Sequence, residues 1–213
     1  MAKKYLYITS PPRTGNNFLV LMINNYIEKN NIDSIYCDMS NHDSTFFFIN
    51  DPNKYNFLIM RSPKDTFLSE LVFNYSESYF NYIEDRFDSF KKTYIDHLKS
   101  FEESNSHHNF WIKFETLTER PENILIKVIQ TIGQPYITIG RPSFDKNFTS
   151  PIDFTNDHPL NSDIFKNPIP NKNIVEKQRI KDFYKIATSH LDFSDINEEY
   201  EQFMIKFAKK ELL

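Results

Sequence analysis

The stretch Lys4-Tyr5-Leu6-Tyr7-Ile8-Thr9-Ser10-Pro11-Pro12-Arg13-Thr14-Gly15-Asn16-Asn17-Phe18 decides the fold. Its first six residues form a short apolar run, rich in Tyr and Ile, that stops at Ser-Pro-Pro. This is the pattern of a buried strand entering a turn. From Asn16 the period changes: Phe18, Leu19, Met22, Ile23, Tyr26 and Ile27 recur at helical spacing, and the helix is expected to end near Asn30-Asn31. A strand, a tight turn and a helix in this order open an α/β fold. They also make an anion site, because the first N–H groups of a helix have no internal partner and the helix dipole favours negative charge there. Gly15 lets the backbone approach a phosphate, Arg13 supplies a forked cation, and Thr14, Asn16 and Asn17 add side-chain donors. A plain strand-to-helix turn punctuated by Pro and Gly uses the same residues, so the loop alone leaves both readings open. The chain has only 3 Gly, and one of them stands here.

Working outward, residues 34–38 read as a second strand and 56–60 (Asn-Phe-Leu-Ile-Met) as a third. Arg61-Ser62-Pro63-Lys64-Asp65 follows. Pro63 suits the first turn of a helix that continues through 66–74. Phe80, Ile83, Phe87, Phe90, Tyr94, Leu98 and Phe101 alternate steps of three and four, which predicts a long amphipathic helix followed by a polar loop over 102–108. Phe110-Trp111-Ile112 is a fourth strand ending at Lys113-Phe114-Glu115. Residues 121–132 form a helix with Gly133 at its C′ position. The Pro-rich 134–170 segment reads as loop and short strand, a flap rather than a linker, and two helices follow near 173–190 and 196–210. The order β-α-β-β-α-α-β-α predicts one α/β domain over 1–213, with a mainly parallel sheet flanked by helices.

Composition narrows the class. The chain has 213 residues, 39% hydrophobic and 25% charged, with a net charge of −4. That balance argues against a broad basic face for nucleic acid, although a local pocket can still be basic. Cys37 is the single cysteine, so no internal disulfide forms, in keeping with a reducing compartment. The apolar run after Met1 is too short for a signal peptide or a membrane span, and no later stretch reaches membrane length. The expectation is a cytoplasmic protein without membrane or nucleic-acid partners. His107 and His108 are adjacent and point in different directions, so no metal site is expected there. His97 is expected on the surface.

Arg61 falls at the carboxyl end of the third strand, where open α/β sheets bind ligands, and Ser69 lies about two turns into the next helix. Both can reach one phosphate. The ATP-type loop G-x-x-x-x-G-K-[ST] is absent, which lowers kinase and NTPase readings. Here the sequence resembles the sulfotransferases that use 3′-phosphoadenosine-5′-phosphosulfate (PAPS). Pro12-Arg13-Thr14-Gly15-Asn16-Asn17-Phe18 is similar to their first motif, Pro-[Lys/Arg]-[Ser/Thr]-Gly-Thr-Thr-Trp. Arg61, Pro63, Asp65 and Ser69 match the second, an Arg-x-Pro-x-Asp with a Ser eight residues after the Arg. Phe114-Glu115-Thr116-Leu117, Pro121 and Gly133 look like a third segment, in which an apolar strand ends in Tyr-Glu-x-Leu before a Pro-initiated helix.

The resemblance implies transfer of a sulfuryl group from PAPS to a hydroxyl or amine acceptor, a small molecule, glycan or peptide, with release of PAP and no required metal. It places the 5′-phosphosulfate on Arg13, Thr14, Gly15, Asn16 and Asn17, with Arg13 stabilising the departing phosphate. Phe18 stands where a family Trp stacks on adenine. Arg61 and Ser69 would hold the 3′-phosphate. The chain departs from the family at Asn16 and Asn17, where hydroxyls are usual, and at Phe114, where a Tyr contacts adenine. It also lacks a C-terminal Arg-Lys-Gly motif, for which Lys166 (in Lys166-Asn167-Pro168) or Lys172 is the substitute. His42, after the second strand, is the candidate general base, with Asp43 in reserve; the alternative for His42 is a surface position in a polar turn. Phe46-Phe47-Phe48, Phe73, Tyr75 and Tyr79 line an acceptor pocket or belong to the core. The alternatives are a divergent P-loop kinase and a non-catalytic nucleotide-binding relative.

Overall fold

The computed structural model describes residues 3–12, 14–39, 51–73, 82–104, 107–137 and 174–212. Among them, four strands form one all-parallel sheet: β1 (Lys4–Thr9), β2 (Ile35–Met39), β3 (Lys54–Met60) and β4 (Asn109–Lys113), in the spatial order β2-β1-β3-β4. Register runs Lys4↔Ile35 between β1 and β2, Tyr5↔Lys54 between β1 and β3, and Met60↔Lys113 between β3 and β4. The helices are α1 (Asn16–Lys29), α2 (Pro63–Phe73), α3 (Ile83–Glu103), α4 (Phe114–Glu119), α5 (Pro121–Thr131), α6 (Ile174–Ala187) and α7 (Ser194–Lys206). The expected α/β class with a mainly parallel sheet is what the chain adopts, and every strand pair among the described residues is parallel.

Strand alternation sorts the core into two layers. Leu6, Ile8, Phe57, Ile59 and Ile112 face one side, where α1 and α5 pack through Leu19, Ile23, Ile124 and Val128. Leu58, Met60 and Trp111 face the other, under α2, α3, α6 and α7. Residues 55–60 of β3 are buried without a break, as a strand covered on both faces requires. Register between β3 and β4 is pinned at the amino end, where Asn56 Nδ2 donates to Asn109 Oδ1 at 2.8 Å. Asn109 in turn donates to Ser104 Oγ.

Three expectations need correction. Lys113 ends β4, and Phe114–Glu119 is a short helix rather than the tail of a strand. The long helix α3 runs through Glu103, so the expected polar loop begins later; its first helical residue is Ile83, and Phe80 lies outside the described residues. His97 is buried, not on the surface. It falls in the stripe Tyr94, His97, Leu98, Phe101, and its Nδ1 lies 2.8 Å from the Thr93 carbonyl. Past α7, a 3-10 turn at Ala208–Lys210 leads the chain back to β4, where Leu212 N–H donates to Trp111 O at 2.9 Å. This parallel bridge of Glu211 to Trp111 had no sequence signal.

Two helix ends were legible. Gly133, at φ +74°, closes α5: its N–H donates to Gln130 O at 2.9 Å and that of Gln134 to Ile129 O at 3.2 Å, a Schellman arrangement. Ser62 precedes Pro63 and accepts the Asp65 N–H at 3.3 Å, while its hydroxyl donates to the Asp65 carboxylate at 2.8 Å. This Ser62 cap gives Pro63 and Asp65 a helix-starting role of their own. Ser62→Ala is expected to lower stability by about 1 kcal/mol, as for other lost N-caps, read as a shift in urea midpoint at unchanged slope.

Candidate functional site

Strand order fixes where the site falls. From β1 the chain passes through α1 to β2 on one side, and β3 lies on the other. The carboxyl ends of β1 and β3 therefore flank a topological switch point, the usual ligand crevice of an open parallel sheet. The loop after β1 ends in Gly15 and α1, and that after β3 consists of Arg61 and Ser62 before α2. The two sequence clusters thus meet at the carboxyl end of the sheet.

Within the first loop Thr9, Ser10 and Thr14 are fully buried. Thr14 Oγ1 donates to Pro11 O at 2.8 Å. That hydroxyl closes the loop on itself. Gly15 sits at φ +90° as the residue before the first turn of α1, and no side chain caps the helix. Asn17 N–H donates to Asn16 Oδ1 at 2.9 Å. Asn16 is buried, and its Nδ2 has no acceptor among the described residues. The side-chain amide thus leaves a donor unused at the start of the helix. Phe18 is half-buried against the α1–α5 core layer.

Phe114 connects the two clusters. Its ring lies 4.5 Å from the Arg61 guanidinium carbon, and an added Cβ on Gly15 would stand 3.1 Å from two of its carbons. Register explains the meeting: Met60 pairs with Lys113, so the residues that follow the two strands, Arg61 and Phe114, are neighbours. Gly15→Ala meets both the ring and a left-handed backbone. It is expected to destabilise by roughly 1–3 kcal/mol, measured by chemical denaturation.

Arg61 is half-buried. Its backbone carbonyl accepts from Tyr94 Oη at 2.5 Å and from Thr66 Oγ1 at 3.4 Å. Burial, then Tyr200, then Glu115 hold the Tyr94 phenol well above its ordinary pKa, so it stays protonated and keeps donating. The Arg61 guanidinium pairs with no carboxylate among the described residues, and its buried Nε has no acceptor. An aromatic face supports it instead. Behind it, Glu115 Oε2 and Tyr200 Oη are also buried without hydrogen-bond partners. Ser69 is half-buried in α2.

Arg13, His42, Asp43, Lys166 and Lys172 lie outside the described residues, as do 46–48, Tyr75 and Tyr79. Phe73 is exposed at the end of α2. His107 and His108 stand at the amino end of β4, away from the crevice, and the His108 ring stacks on Tyr55 at 4.5 Å. Among the described residues no three His, Cys, Asp or Glu side chains gather to hold a metal ion. No helix there is long and apolar enough to cross a membrane.

Sequence reasoning missed a cleft beside the loop. It measures about 250 Å³ and is walled by Pro12, by Glu70 of α2, and by Asp85, Arg86, Ser89 and Thr93 of α3. Compared with known proteins, the chain matches no family model and no curated sequence.

Proposed function

We propose that the crevice between β1 and β3 binds a 3′-phosphorylated adenine nucleotide, and that the protein transfers the sulfuryl group of PAPS to a hydroxyl or amine acceptor, releasing PAP. Arg61 carries this reading. A half-buried guanidinium with no carboxylate partner among the described residues, at the carboxyl end of a central strand, is an anion site awaiting its counter-ion. The start of α1 is a second such site, where Gly15 brings the backbone close and the Asn16 amide adds a donor. Two anion sites flanking one switch point suit a ligand with two separated phosphates. PAPS has that pattern at its 3′ and 5′ positions.

In this scheme Arg61, with Ser69, holds the 3′-phosphate. The α1 N-terminus, the Asn16 amide and Arg13 hold the 5′-phosphosulfate and stabilise charge on the leaving phosphate oxygen. Orientation of the acceptor in line with the breaking bond supplies the rest. The test is sulfuryl transfer from PAPS to a mixed panel of alcohols, phenols and amines, run with EDTA. Sulfated product at a rate above the no-protein control supports the reading. A panel that yields none, together with no detectable PAP binding, would refute it.

A further inference from the structure

Pro12 belongs both to the phosphate loop and to the wall of the 250 Å³ cleft, so anything in the cleft adjoins whatever the loop holds. The opposite wall is one face of α3: positions 85, 86, 89 and 93 recur at helical spacing beside the core stripe that includes Phe87, Phe90 and Tyr94. Among the described residues this lining carries two carboxylates, Glu70 and Asp85, against one guanidinium, Arg86, with the hydroxyls of Ser89 and Thr93 and the Phe90 ring. Asp85 stands in the first turn of α3, where a carboxylate also steadies the helix dipole. Glu70 lies in the middle of α2.

We infer that this cleft is the acceptor subsite and selects a small hydroxylated amine, recognised through its ammonium group by Asp85 and presenting a hydroxyl toward Pro12 and Glu70. The inference rests on the sulfuryl-transfer reading for the chemistry, but not for the binding preference. A purely apolar acceptor would desolvate three charged side chains without replacing their hydrogen bonds. A hydroxylated amine replaces them, and its positive charge is drawn toward an anionic sulfuryl donor. The volume falls below the usual range for drug-sized ligands and suits a moiety of about one sugar ring. In the transfer step the acceptor oxygen forms the new bond to sulfur as its proton passes to the Glu70 carboxylate. The electron pair of the breaking S–O bond leaves with the 5′-phosphate of PAP.

The test uses the full chain and three probes, D-glucosamine, D-glucose and 4-nitrophenol, whose binding is followed by saturation-transfer NMR with and without PAP. Glucosamine should bind in preference to the other two. Asp85→Asn should weaken it about 2- to 5-fold, as expected for an exposed ion pair. Glu70→Gln should lower the rate of transfer to glucosamine about 100-fold or more, as for a lost general base, with PAP affinity unchanged in both variants. Preference for 4-nitrophenol, or glucosamine binding indifferent to Asp85→Asn, would overturn the inference, as would full transfer activity in Glu70→Gln. If glucosamine binds as described but PAP does not bind at all, the acceptor preference stands and the sulfuryl-transfer reading falls.

Discussion

Replacing Arg61 with alanine is expected to weaken PAP binding about 10- to 100-fold, the worth of one or two charge-assisted hydrogen bonds, while AMP binding changes by less than about threefold. The asymmetry follows from position. PAP and AMP share the 5′-phosphate, which the proposal assigns to the α1 N-terminus, and only PAP carries the 3′-phosphate it assigns to Arg61. Arg61→Lys should recover only part of the affinity. A lysine keeps the charge but loses the planar fork and the stack on Phe114 that holds the guanidinium in place. Stability should change little, because the link of this residue to the core is its backbone carbonyl, which Tyr94 holds at 2.5 Å whatever the side chain. Calorimetric titration of both nucleotides into both variants reads the effect. Equal losses for PAP and AMP would remove Arg61 from the 3′-phosphate.

Trp111→Ala is expected to destabilise the fold by about 3–5 kcal/mol, the usual range for truncating a buried Trp. Trp111 is the largest of the fully buried side chains and faces the layer under α3 and α7. Its ring meets Phe203 of α7 edge-on at 5.7 Å, and its Nε1 donates to Phe207 O at 2.8 Å. Its backbone carbonyl takes the N–H of Leu212. One residue thus ties the edge strand to the end of α7 through its side chain, and to the segment that returns beside β4 through its backbone. Trp111→Phe keeps the aromatic contact but removes one of two donors to the Phe207 carbonyl, which also accepts the Lys210 N–H at 2.9 Å, and should lose about 0.5–1.5 kcal/mol. Urea unfolding measures both, and a loss below about 1 kcal/mol for the alanine variant would contradict this packing role.

The sequence made the local parts of this fold legible and left the meetings between distant parts hidden. The change from an apolar run to helical spacing at Ser10–Gly15 located β1 and α1, and Pro63 and Gly133 marked the start of α2 and the end of α5. Each is a short-range effect of dihedral restriction or periodicity. His97 was misplaced although its signal was present, three residues after Tyr94 and four before Phe101 on the buried stripe. Helix α4 escaped because six residues between an apolar strand and Pro121 carry too few turns to show a period. At the candidate site, Gly15, Asn16 and Arg61 stood out by type and spacing. The contact of Phe114 with both Gly15 and Arg61 was not, since it depends on the register of β3 against β4. The cleft at Pro12 depends likewise on how α3 packs across the loop, which no local pattern records. The Thr14 hydroxyl closes the loop on Pro11; a residue type shows that it can donate, not to what.

The central claim is that the switch-point crevice is built for a nucleotide with a 3′-phosphate. Calorimetric titration of the full chain with PAP, with AMP, and with ATP in the presence and absence of Mg²⁺ tests it most directly. The account predicts that PAP binds at least about tenfold more tightly than AMP, in keeping with one extra charge-assisted contact, and that Mg²⁺ is not needed for it. No binding of PAP, or a clear preference for ATP with Mg²⁺, would contradict it.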